Sequence, residues 1–214
     1  NRRLDTNNVN SFNRISIDDG IEGGESLTIG LEYIKKDKNQ NEKLSIDLAQ
    51  VIRSESNPDL PTSSTLNNKY SDIIGRVKFN LINNLNFEYN FMMDNNFDRT
   101  NYNSVLADIS VNNFVTSFEY LEESALVGNK GFISNNTSYS FDENNSLTFS
   151  TRRNREIDLT EFYNLVYQYE NDCLKAALEY NKTFYSDGDI EPEEQLFFSL
   201  TIVPFTKINT TNLK

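Results

Sequence analysis

The chain has no histidine and a single cysteine among its 214 residues. Without an imidazole, a Ser-His-Asp triad, a His-ligated zinc and a proximal haem ligand are excluded within this chain. One cysteine excludes an internal disulfide framework and a cysteine-rich metal cluster. Cations are also scarce: 20 Lys+Arg stand against 32 Asp+Glu, leaving −12 and a pI near 4.5. Nucleic acid needs a basic face that displaces counterions, so no nucleic-acid partner is expected. Gly (8) and Pro (4) are few. No run approaches the ~20 apolar residues of a membrane-crossing helix. Asn1 to Asn13 lacks the apolar core of a signal peptide, which suggests an internal or C-terminal piece of a longer chain.

What is present is aromatic and strictly patterned. Hydrophobic content is 37% and mean hydropathy −0.60, yet aromatics reach 12%, too many for a disordered acidic chain. A period of two recurs from Leu27 onward. Leu27, Ile29, Leu31 and Tyr33 oppose Thr28, Gly30 and Glu32, and Leu44, Ile46 and Leu48 oppose Ser45 and Asp47. Gly75, Val77 and Phe79, then Leu85, Phe87, Tyr89 and Phe91, continue the pattern. It runs on through Tyr163, Leu165 and Tyr167, Leu174, Ala176 and Leu178, and Leu196, Phe198, Leu200 and Ile202. The count is about eleven strands of roughly 9–12 residues, long for a soluble sheet and suited to a tilted membrane crossing.

Connections alternate in length. Asn-rich tight turns fall at 37–41, 83–84, 112–113, 142–145 and 170–172. Longer polar stretches fall at 55–71, 94–101, 123–130, 154–158 and 186–194. Short turns on one rim and long loops on the other mark an outer-membrane barrel, with the short turns expected on the periplasmic side. The expected fold is therefore all-β: an antiparallel up-and-down transmembrane β-barrel, here an incomplete, open curved sheet. Residues 1–24 read as a loop before the first strand, 25–205 as barrel and 206–214 as a tail. A soluble antiparallel sandwich also alternates, but its strands are shorter and its composition more apolar.

Side chains that could carry chemistry are few. Asp47, Glu88, Asp108, Glu119 and Glu179 fall on the polar face and would line the lumen, where they keep a cavity wet or steer cationic cargo. Glu122-Glu123 and the Glu191 to Glu194 run read as solvated loop charge, since no EF-hand spacing surrounds them. No catalytic residue, cofactor or metal site is expected. Arg152-Arg153-Asn154-Arg155 reads as rim charge before a lipid-phosphate site. Tyr33, Tyr120, Tyr163, Tyr169 and Phe184 lie near strand ends, where interfacial girdles form.

The run YNLVYQYENDCLKAALEYNKTFY, followed by EEQLFFSLTIVPF, resembles the C-terminal end of the LptD family, the lipopolysaccharide-assembly proteins of Gram-negative outer membranes. NSFNRISIDDGIEGGESLTIGLEY, with Arg14-Ile15 and Asp18-Asp19, and PDLPTSSTLNNKYSDIIGRVKF, with Ser71 to Gly75, are similar to two earlier family segments. Many members carry a Cys-Cys pair where this chain has Asp172-Cys173. The resemblance implies a transporter rather than an enzyme, located in the cell outer membrane. Lipopolysaccharide would arrive from periplasmic bridge proteins on a jelly-roll domain, and a lipoprotein, LptE, would plug the lumen. The lipid would leave laterally, among outer-membrane lipid, through a seam beside the last strand. Leu196 to Phe205 would be that strand, with Leu196, Phe198, Ser199, Leu200, Thr201 and Ile202 along it. Cys173, odd in an oxidising compartment, would pair with a cysteine outside this chain. The rival is a porin-like or nutrient-uptake channel, but Phe205 is followed by Thr206 to Lys214 instead of ending the chain. A barrel hydrolase ranks last, for want of histidine.

Overall fold

A computed structural model describes residues 3–15, 22–80, 84–124, 130–184, 191–202 and 206–210, the last stretch by its backbone. Asp18, Asp19, Asn83 and Val203 to Phe205, which the sequence reading invoked, lie outside the described residues, as do parts of the 123–130 and 186–194 loops. The strands are β1 (Ser26–Lys36), β2 (Glu42–Arg53), β3 (Ile73–Phe79), β4 (Leu85–Met93), β5 (Thr100–Val111) and β6 (Phe114–Glu123). They continue as β7 (Lys130–Ser140), β8 (Asn145–Asn154), β9 (Leu159–Glu170), β10 (Leu174–Thr183), β11 (Glu194–Ile202) and β12 (Thr206–Thr210). One 3-10 turn, Thr62–Ser64, is the sole helical element among the described residues.

The sheet is all-β and open in its order, running from β1 to β12 with each strand beside its neighbour in sequence. Every described pairing is antiparallel. All eleven expected strands form. The count is twelve because Thr206–Thr210, expected within a tail, pairs with Phe198–Ile202 of β11. Thr and Ile favour extended backbone, and an unpaired strand edge offers a row of free N–H and C=O groups.

Turns form mainly through side chains. Five non-glycine residues have positive φ, and only Asn112 among them is an asparagine. The expectation that asparagine serves the turns by tolerating positive φ therefore holds at the Asn112-Asn113 hairpin alone. Elsewhere Asx acceptors close the turn. Asp37 Oδ1 accepts from the N–H of Asn39 and Asn41, Asp142 Oδ1 from Asn144 and Asn145, and Asn171 Oδ1 from Cys173 and Leu174. These bonds hold the two exposed carboxyls below the usual carboxylate range, led by the Asn41 N–H at Asp37 and the Asn145 side chain at Asp142. The 154–158 connection is a tight turn of Arg155 to Asp158 rather than a long loop.

Contacts divide the chain into two compact units, residues 1–106 with 120–130, and 107–119 with 131–214. In the first, pairings Leu31↔Leu48, Leu48↔Gly75 and Gly75↔Phe91 run one apolar row across β1–β4, with Tyr33, Ile46, Val77 and Tyr89 forming the next. The opposite face carries the row Glu32, Asp47, Arg76 and Asn90. In the second unit, Tyr139, Leu147, Tyr167 and Leu178 share the apolar face, and Ser138, Thr148, Asn164 and Asn181 the polar one.

Candidate functional site

The apolar face is open to its surroundings. Leu27, Ile29, Leu31 and Tyr33 of β1 are 49–61% exposed, and Phe149, Leu165, Tyr167, Leu178, Leu196 and Phe198 are exposed in the second unit. Water does not tolerate an apolar surface of this extent, whereas hydrocarbon does. Gly75 interrupts the row for a packing reason. A Cβ there would stand 2.3 Å from Phe91 Cζ and 2.9 Å from Leu48 Cδ2, so the Phe91 ring lies over the space a side chain would take. The polar groups on this face are mutually satisfied. Asn135 Nδ2 donates to Thr116 Oγ1, Thr137 Oγ1 donates to Asn135 Oδ1, and the two threonine hydroxyls lie 2.8 Å apart. In lipid no water would bond them otherwise. Of the girdle residues, Tyr163 packs edge-on against Phe184 and stacks on Phe149.

The polar face binds most of its own charge. Asp47 pairs with Arg76 at 2.9 Å, and Glu88 faces Lys78 at 3.5 Å and accepts from Asn90. Asp108 accepts from Ser117, Glu119 from Ser134 and Glu179 from Asn164. The expected acidic lining is thus offset by cations at two of five positions and bonded to neutral donors at the other three. The Arg152 run is likewise engaged. Arg152 pairs with Glu161 and covers the Phe132 ring, and Arg153 pairs with Asp158.

Sequence reasoning missed what lies on the polar face of the first unit. Leu4, Val9 and Ile15 from the segment before β1, with Leu60 and Leu66 from the β2–β3 loop, join Val51, Ile74, Met92 and Tyr102 in one buried cluster. Register places Val51, Ile74 and Met92 on the face of Asp47 and Arg76, opposite the open apolar wall. The segment is shaped by a reciprocal Asx turn. Asp5 Oδ1 accepts from the N–H of Asn7 and Asn8, and buried Asn8 returns a bond to the Asp5 N–H and another to the Arg3 carbonyl. At its far end Glu22, 3% exposed, accepts from Arg14 at 2.5 Å and from Arg53 at 2.8 Å. Arg53 also donates to the Gly23 carbonyl, and Gly24, at φ 86°, leaves room for its guanidinium. A sequence signal existed in the isolated apolar residues Leu4, Val9 and Ile15 amid polar neighbours.

Residues 3–152 match the family model for LptD, described as LPS transport system D. The chain belongs to the LptD family. No curated protein matches. Membership agrees with the all-β sheet and its open apolar face, and makes this LptD-family chain part of a lipopolysaccharide transport and assembly system. The match includes the Arg14–Glu22–Arg53 cluster and the buried segments, and ends before Cys173 and β11. Cys173 is a free, exposed thiol at the start of β10. Ser199 and Thr201 sit on the polar face of β11 opposite Ala177 and Lys175.

Proposed function

We propose that this chain forms part of an outer-membrane barrel wall that delivers lipopolysaccharide to the outer leaflet by lateral release beside β11. The observation that carries the reading is a sheet whose large apolar side chains are exposed on one face while its buried cluster lies on the other, in a chain matching LptD over residues 3–152. That arrangement suits lipid outside and a polar lumen inside. Short turns face the periplasm. LptE occupies the lumen and periplasmic bridge proteins supply the lipid. Cys173 pairs with a cysteine outside these residues, since an exposed thiol at a turn is open to oxidation there.

Pairing along the outer side of β11 supports a weak seam. The five-residue β12 covers only Phe198–Ile202, whereas β10 pairs along Glu194–Ile202. A partner so short gives way readily to another strand or to a passing acyl chain. The test is a crosslink from Ser199 or Thr201 to the first strand of the complete barrel. Lipid delivery should stop while the barrel stays folded. Normal delivery with the seam locked refutes lateral release.

A further inference from the structure

We propose that residues 3–15 and 54–72 form a resident stopper on the polar face of β2–β4, so that the wall carries lipid outside while it blocks water and ions inside. The inference rests on the reading of that face as lumenal, and adds a sealing function to it. A water-filled barrel would leave such a face wet and free of apolar burial. Here Leu4, Val9 and Leu66 are 0–3% exposed on it, with Ser63, Ser64 and Thr65 buried beside them. The cluster is closed by the chain's own segments, and a core of this kind excludes water from the space it fills.

Latches hold the segment at both ends. Arg3 Nη1 meets Glu123 Oε1 at 3.2 Å at the end of β6, and its guanidinium lies 3.3 Å from the centre of the Tyr102 ring. Midway, Arg76 Nη1 donates to Asn7 Oδ1 at 3.1 Å while its other nitrogens hold Asp47. Beyond Val9, the Thr28 hydroxyl donates to the Val9 carbonyl, and Arg14 is clamped by Glu22, Ser26 and Thr28. The Arg14 clamp is buried and permanent. The Arg3 latch is partly exposed, 25% at Arg3, and is the end that can lift.

The experiment uses the full-length protein with its lumenal partner, reconstituted in planar bilayers and in lipid-delivery vesicles. The unaltered protein should show no conductance steps. Arg3→Glu, set against Glu123, should raise open events about tenfold, the loss expected of a charge pair and a cation–π contact together. Arg3→Glu with Glu123→Arg should restore the seal. Leakage that the second reversal leaves in place overturns the latch. Replacement of residues 4–13 by a Gly-Ser linker should leave a barrel that still resists unfolding in cold detergent but conducts continuously. A folded, silent linker variant overturns the stopper. Delivery measured on the same proteins separates the two readings. Sealing lost with delivery intact supports the stopper alone, and delivery absent from every protein, with sealing still switched by the charge pair, removes the transport reading and leaves the stopper standing.

Discussion

In the unit built on β1–β4, every described apolar residue that is fully buried lies between Leu4 and Tyr102, and two guanidiniums share one buried carboxylate at Glu22. In the unit built on β8–β11 the core list is empty. Its side chains are half-buried at most, and its polar face is a lattice of hydroxyl and amide bonds such as Ser138–Thr148 and Asn164–Glu179. Both units share the antiparallel ladder and the open apolar face. The difference teaches that one unit adds a water-excluding core of its own, while the other depends on its backbone bonds and on hydrocarbon as solvent.

The sharpest way to break this comparison is at Glu22. Glu22→Ala strands Arg14 and Arg53 in a buried site, and the full protein in detergent should lose about 3–5 kcal/mol by denaturant midpoint. A loss below ~1 kcal/mol would show that the cluster is solvated after all. Next comes a matched pair. Leu66→Ala, at 0% exposure, should cost about 2–5 kcal/mol through the cavity it leaves, whereas Leu178→Ala, 44% exposed on the lipid face, should cost ~1 or less. Equal costs in the two units would erase the distinction. Gly75→Val sharpens it on the shared apolar face, with a loss of about 1–3 kcal/mol from the clash with Phe91, which Phe91→Ala should partly relieve.

The smallest effect concerns Asp72, buried beside Thr65 and Asn101 just before β3. Desolvation holds its carboxyl above the usual 3.8, reinforced by Asp94 and opposed by the Asn101 amide and Arg99. A raised folded-state value means the folded protein binds this proton more tightly. The stability it contributes is therefore present below 3.8 and lost as pH rises through the raised value. Asp72→Asn keeps an acceptor for Asn101 and should flatten that loss in a pH series of unfolding midpoints. An unchanged slope would place its origin at another group.

The strands were legible because alternation is a local property. Leu27 to Tyr33 and Tyr163 to Tyr167 each declare a face within a few residues. The stopper was not legible, because Leu4, Val9 and Leu66 acquire meaning only from partners on strands far along the chain. The neutralisation of Asp47 and Glu88 was hidden for a related reason, since cross-strand register, and not composition, brings Arg76 and Lys78 opposite Asp47 and near Glu88. The loop reading at 154–158 failed because Arg153 and Asp158 close that turn on each other.

The sequential strand order also fixes an order of events. Each hairpin forms from residues a short way apart, at little entropic cost, and each new strand finds its template already waiting. The Arg3–Glu123 contact spans 120 positions and needs β1 through β6 in place before it can form. Wall assembly and closure are therefore separate steps in time, and a nascent barrel passes through a stage in which its wall is continuous and its interior still accessible. A lumenal partner has that interval in which to enter.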